Sequence, residues 1–342
     1  MDIRTDVSLK PYLTMQLGGN AHTMVDLYTN DDVVAVCTMA HQQQAELFVL
    51  GGGSNTLAQD SGFAGIVARN RIPSFSVVAE DDESTTITVG AGEVLDDIVA
   101  KTVASGLSGI EALSAIPGTA GAAPVQNVGA YGQEIADTLI SLEAYDRQQE
   151  CFVLLSAADC EFSYRHSIFR SREMGRYIIT SITLRLRKGL PQPPFYQAVQ
   201  DYLTTHAIAE PTPQDIRRAV MTIRAGKLPN PAELLTTGSF FKNAIISSEE
   251  FSQLQQHYPT VPHYALPDGR VKVPSGWLIE QAGLRSSVLH GMKVHDKNAV
   301  VLINQSATSY RDLAAAREEI IRTVEEKFGI TIVQEPLEMP AA

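Results

Sequence analysis

The chain has 342 residues, a formal net charge of −12 and a sequence pI of about 5.1. That acidity argues against a broad phosphate-binding surface for nucleic acid, and 44% hydrophobic with 19% charged residues argues against a disordered chain. The N-terminal stretch MDIRTDVSLKPYL has no apolar signal core, and the longest uncharged run, Ala112 to Gln133, holds too many glycines, prolines and amides for a membrane helix. Cys37, Cys151 and Cys160 form no CxxC pair, so neither a disulfide framework nor a zinc site is expected. The eight histidines show no metal-ligand spacing, and no metal site is expected. The simplest expectation is a soluble cytoplasmic protein of about two or three domains.

In chain order, apolar residues at helical spacing predict a helix over 31–45, capped by Asn30 or Asp31. A short strand over 47–50 runs into a glycine cluster. Strands follow near 66–68 and 87–89, then a helix over 93–105 stopped by Gly106. Residues 112–133 show little helical or strand period. Strands are expected near 139–145, 152–155 and 177–186. Residues 189–196, GLPQPPFY, read as a domain boundary or an ordered loop. Helices are expected over 214–225, 248–257, 277–282 and 310–328, with strands over 299–303 and 330–333. The helix over 310–328 carries Leu313, Ile320, Ile321, Val324 and Phe328 on one face. The class is mixed α and β, with the split near 190–215.

GGGSN at 51–55 ends a strand. Glycines there let the backbone take positive φ and turn successive N–H groups toward one anion, with Ser54 and Asn55 as further donors. It is either a pyrophosphate cradle or a plain glycine turn. The run 116–132 is long for a compact domain, and its small side chains would let a flat ligand lie against the backbone; a packed structural loop is the alternative. No GxGxxG follows a strand and no P-loop occurs, so a Rossmann or P-loop nucleotide site is disfavoured. Arg165 sits among Phe162, Tyr164 and Phe169, where a guanidinium could grip a carboxylate or simply pack on tyrosine. Ser239 lies between Gly238 and two phenylalanines without a nucleophile-elbow pattern. Glu335 follows an apolar stretch, where a buried carboxyl could donate a proton or merely be solvated.

In order along the chain, LGGGSN, IPGTAGAAPVQNVGAYG, FSYRHSIF, IRAGKLPNP, GSFFKN and a C-terminal glutamate resemble the UDP-N-acetylenolpyruvoylglucosamine reductase family, and the likeness runs from Leu9 to Pro336. It implies an α+β protein: a vanillyl-alcohol-oxidase (PCMH)-type FAD-binding fold in two subdomains plus a C-terminal α/β substrate-binding domain. The implied segments are 1–70, 71–212 and 213–342, with a tyrosine-bearing loop at 189–202 typical of the type I branch. The resemblance further implies FAD as cofactor, NADPH as co-substrate and UDP-N-acetylglucosamine enolpyruvate as substrate, and the expected state is a cytoplasmic monomer with no nucleic-acid or membrane partner.

Carried over residue by residue, the resemblance makes Arg165, Ser239 and Glu335 catalytic. FAD would be held by Gly51, Gly52, Gly53, Ser54, Asn55, Pro117, Gly118, Gly121, Gln126, Asn127, Gly129 and Tyr131. Tyr164, Tyr196, Lys227, Asn243 and Asn298 would bind substrate, Asn298 standing where many relatives carry glutamine. The tail reads VQEPLEM, so Glu335 and Glu338 both compete for the last catalytic role. The family's spacing from the phenylalanine that closes the last helix, here Phe328, implies Glu335.

Overall fold

The computed structural model describes residues 1–230 and 233–340. Pro231, the last residue of the IRAGKLPNP motif, lies outside them. The chain sorts into two compact units, each discontinuous in sequence: residues 1–7, 21–53 and 63–226 form the first, and residues 8–20, 54–62 and 227–342 the second.

In the first unit, helix α1 (Asn30–Gln43) starts at a capping box. Thr29 Oγ1 accepts the Asp32 N–H, and the Asp32 carboxylate accepts the Thr29 N–H. The cap therefore sits one residue before the two candidates the sequence suggested, because Thr29 is extended and has an acidic residue at the third helical position. The apolar face of α1 packs Val33, Val36 and Ala40 onto Val25, Leu27, Ile66 and Ala68. Those four belong to a four-stranded sheet in the order 2–8, 20–27, 63–70, 47–50, whose last two pairings are parallel. Near-continuous burial of 63–70 is what a strand covered on both faces requires.

A six-stranded antiparallel sheet follows. Its order is 151–156, 139–146, 177–188, 84–90, 75–80, with 107–108 also pairing with 177–188. Helix α2 (Leu95–Ala104) buries Leu95, Ile98, Val99 and Val103 in the core of this sheet. It ends as the sequence suggests, with Gly106 at φ 74° just beyond. The 112–133 run is built of single 3-10 turns at 111–113, 120–122 and 124–126. Helices α3 (Gln197–Thr205) and α4 (Pro213–Lys227) bury Val199, Leu203, Ile216, Ala219 and Val220 against Ala112. Residues 189–226 thus pack with the first unit. Helix α3 was not expected from the sequence, because it follows the proline-rich segment without an N-capping side chain.

The second unit holds α5 (Ser248–His257), α6 (Ser275–Gln281), α7 (Tyr310–Phe328) and short antiparallel ribbons. One ribbon joins 244–246, 271–273 and 264–265, and another joins 288–289, 292–294 and 302–304. Residues Leu337–Glu338 pair in parallel with Thr56–Leu57. Helix α7 matches the expected bounds. Ser309 and Asp312 form its capping box and Gly329, at φ 66°, ends it. Leu313, Ala316, Ile320 and Val324 are fully buried along one face. At about 1.5–3 kcal/mol for each large aliphatic side chain, that burial dominates the helix's stability.

Two expected strands are corrected. Residues 330–333 form no strand, since Val333 O accepts the Lys242 N–H in a lone main-chain bond rather than a ladder. The strand expected over 299–303 is Leu302–Asn304, because Val301 N–H bonds back to Asn298 O in a turn.

Candidate functional site

In the first unit, the strand 47–50 delivers Gly51, Gly52 and Gly53 against the 116–119 loop. A Cβ on Gly52 would come within 3.0 Å of Gly118 Cα, and one on Gly51 within 2.8 Å of Thr119 Oγ1. Only glycine permits this approach of two backbones. Gly53 and Gly118 take φ of 67° and 127°. The Thr119 hydroxyl is a buried side-chain oxygen with no hydrogen-bond partner, an arrangement that costs stability unless a ligand engages it.

The entry to this loop is pinned from α2 and α4. Asp96 accepts the Ala115 N–H at 2.6 Å and both Arg217 guanidinium nitrogens at 2.5 and 3.0 Å. Arg224 donates to Ala115 O at 3.1 Å. Burial alone would raise the Asp96 carboxyl, but the Arg217 and Ala115 hydrogen bonds outweigh it and hold the group below its usual value. Such a carboxyl contributes stability above its unfolded pKa of about 3.9, and loses it as pH falls through the lower folded value. Asp96→Asn is therefore expected to cost about 1–3 kcal/mol near neutral pH in urea unfolding, with the gap from wild type closing below about pH 4. A gap that stays constant through that range would contradict a role for the charge.

Arg165 occupies a tight turn. Ser163 and His166 pair with each other across it, and Arg165 takes φ 53°. Its guanidinium donates to Gly129 O at 2.7 Å and Asn127 O at 3.5 Å, and stands 5.3 Å from the Tyr164 ring centroid. Asn127 anchors both ends of this residue. Its side-chain amide donates to Glu134 at 2.6 Å and to Ser163 O at 3.2 Å, while its side-chain oxygen accepts the Ala136 N–H. Gln126 Oε1 is likewise occupied, by Arg170 at 2.7 Å. These two amides tie the loop to Glu134, Ala136, Ser163 and Arg170. Gly121 is required by packing, since a Cβ there would lie 2.4 Å from Ala91 Cβ. Gly129 sits against Glu134 in the same way. Tyr131 and the exposed Tyr196 meet edge to face at 5.6 Å, and Pro117 is exposed.

In the second unit, the GSFFKN segment and the C-terminal tail lie side by side. Glu335 N–H donates to Phe240 O at 2.8 Å and Lys242 N–H to Val333 O at 2.9 Å, while Phe241 bridges Gln334. This lays Glu335, only 9% exposed, beside the peptide that follows Ser239. Ser239 bridges Val301 on its other side. Gly238, at φ 75°, makes the turn into it, and its N–H is held by the buried Thr236 hydroxyl. Phe240 and Phe241 are sunk in the core, which fixes the half-buried serine between them and Gly238. Asn243 Oδ1 accepts the Ser275 N–H at the start of α6, and Asn298 O accepts Val301 N–H. Lys227 is exposed at the end of α4. Ser54 and Asn55 open the 54–62 segment, with Asn55 O accepting Leu337 N–H. Glu338, the alternative carboxylate, is tied to Gln59 and Arg317. Among the described residues, no group of His, Cys, Asp and Glu is placed to hold a metal, and no helix is long and apolar enough to cross a membrane.

A family model described as an FAD binding domain matches residues 23–154. A second, described as the C-terminal domain of UDP-N-acetylenolpyruvoylglucosamine reductase, matches residues 230–338. The UDP-N-acetylenolpyruvoylglucosamine reductase of Dechloromonas aromatica (strain RCB) is 38% identical over 98% of this chain and 99% of its own. The chain belongs to the UDP-N-acetylenolpyruvoylglucosamine reductase family. The relative from Neisseria meningitidis serogroup B is also 38% identical, covering 99% of this chain and 98% of its own. The reductase from Thermus caldophilus shares the fold: its crystal structure is 22% identical, with a TM-score of 0.68 over 99% of this chain and 100% of that one.

The reductase is thus an FAD-dependent oxidoreductase with the FAD-binding and C-terminal domains the motifs implied. The first unit's own geometry fits that cofactor: facing glycine backbones leave no side chain between them, and the Thr119 hydroxyl is buried without a partner. Several supporting residues were not singled out from the sequence. Glu134 closes the uncharged run, and Arg224 lies inside the IRAGKLPNP motif, so both were within reach. Asp96, Arg217 and Arg317 carry no sequence signal beyond a charge on a helix, because their partners lie far along the chain.

Proposed function

We propose that this reductase converts UDP-N-acetylglucosamine enolpyruvate to UDP-N-acetylmuramate with NADPH as electron donor, a step of peptidoglycan precursor synthesis, as a cytoplasmic monomer. The observation that supports the chemistry is the main-chain bond from Glu335 N–H to Phe240 O, which lays a largely buried Glu335 beside the residue that follows Ser239. When bound, FAD would supply two-electron hydride chemistry between NADPH and the terminal vinyl carbon of the sugar.

As that C–H bond forms, the vinyl electron pair moves to the carbon bearing the carboxylate and spreads into it as an enolate. Arg165 stabilises the developing charge. Its guanidinium is aimed by two fixed carbonyls and needs no reorganisation during the reaction. Ser239 Oγ then gives its proton to the carbanion carbon. A hydroxyl is a weak acid, so this transfer depends on the strongly basic carbon it meets. Glu335, shielded from water, supports the serine and the enolate edge. Lys227, Asn243, Tyr164, Tyr196 and Asn298 bind the nucleotide-sugar, Lys227 supplying positive charge for the diphosphate.

The purified yellow protein should oxidise NADPH beyond one equivalent per flavin only when UDP-N-acetylglucosamine enolpyruvate is present, and the product should gain the mass of two hydrogens. NADPH oxidation driven by oxygen, with the sugar recovered unchanged, would instead identify an oxidase on the same scaffold.

A further inference from the structure

The tail that carries Glu335 has almost no regular structure of its own, yet it must present one of two carboxylates three positions apart. Main-chain pairing holds it at Phe240 to Lys242 on one flank and at Asn55 to Leu57 on the other. Two-residue pairings specify register weakly, and a slip changes which side chains face inward. The side chains add a lock. One guanidinium nitrogen of Arg317, on α7, donates to Gln334 Oε1 at 2.8 Å, to Tyr310 OH at 3.2 Å and to Glu338 Oε2 at 3.3 Å. Glu338 Oε1 accepts from Gln59 at 2.9 Å, and the Gln334 amide donates to Pro336 O at 2.9 Å. Arg317 therefore grips the residue before Glu335 and the residue three after it. Burial alone would raise the Glu338 carboxyl; hydrogen bonds from Tyr310, Gln59 and Arg317 outweigh it and hold the group ionised. Burial and the Glu338 hydrogen bond push the Tyr310 hydroxyl up to about 12, so it stays a donor.

We propose that Arg317 is a positioning residue, whose grip on Gln334 and Glu338 fixes the tail register so that Glu335, not Glu338, serves the reaction; this rests on the functional reading above.

The test combines Arg317→Gln, and Arg317→Leu as a second variant, with Glu335→Gln in a double-mutant cycle. The NADPH and sugar half-reactions are measured separately on the flavin-loaded protein, with amide hydrogen exchange over 334–338. Misplacement of a reacting group by about 1 Å costs up to about 10²-fold. Each Arg317 change alone should slow the sugar half-reaction by about 10–10²-fold, spare the NADPH half-reaction and speed exchange in the tail. In the Glu335→Gln background it should cost nothing further. Additive losses, equal slowing of both half-reactions, or wild-type rates would overturn the proposal. A wild-type protein that cannot reduce the sugar would instead defeat the functional reading beneath it.

Discussion

Ser239→Ala is expected to slow reduction of the enolpyruvyl sugar by about 10²–10⁴-fold, the range for losing a positioned proton donor, and to leave the NADPH half-reaction at its wild-type rate. The selectivity follows from what the serine touches. Its backbone is fixed by the Val301 bridge and by the buried phenylalanines that follow it, so the alanine variant loses one hydroxyl without losing the local fold. Thermal unfolding should move little, since a half-buried serine to alanine change away from a cap or core network is worth under about 1 kcal/mol. Anaerobic stopped-flow separates the two halves: flavin colour is lost on adding NADPH and returns on adding the sugar. Equal slowing of both halves would assign Ser239 to binding or folding instead.

Arg165→Met should cost about 10²–10³-fold in the sugar half-reaction, the scale for removing one preorganised donor to a developing oxyanion. The loss should fall on kcat more than on KM, because the charge Arg165 meets is largest after hydride transfer. Arg165→Lys should recover only part of it. An ammonium restores the charge, but not the flat fork that Gly129 O and Asn127 O hold in place. Flavin content and the NADPH half-reaction should match wild type in both variants. A rise in KM alone, with kcat unchanged, would reduce Arg165 to a substrate clamp.

The regular elements with strong periodicity were legible. Helix α7 ends where its apolar stripe says it should, strand 47–50 stands where a short apolar run predicts it, and the strand expected over 177–186 runs over 177–188. The 330–333 segment misled because Ile330, Ile332 and Val333 look like a strand, whereas Ile330 and Ile332 are buried to seat a tail and Val333 is exposed. Discontinuous units were beyond local reading: nothing in residues 8–20 or 54–62 announces that they pack with the C-terminal half. The glycine motifs were visible as motifs, but not which glycines serve packing. Gly121 answers to Ala91, a fact set by a contact across thirty positions. Gln126 and Asn127 were named for the cofactor; that their side chains also bond Arg170 and Glu134 could not be read from sequence, which shows a residue's type and place but not its partners.

The central claim is that this chain passes electrons from NADPH through FAD to an enolpyruvyl nucleotide-sugar. Anaerobic titration of the NADPH-bleached protein with UDP-N-acetylglucosamine enolpyruvate measures this most directly. Colour should return in full at one equivalent of sugar per flavin, with one equivalent of UDP-N-acetylmuramate formed. Protein that stays bleached until air is admitted, with the sugar untouched, would contradict it.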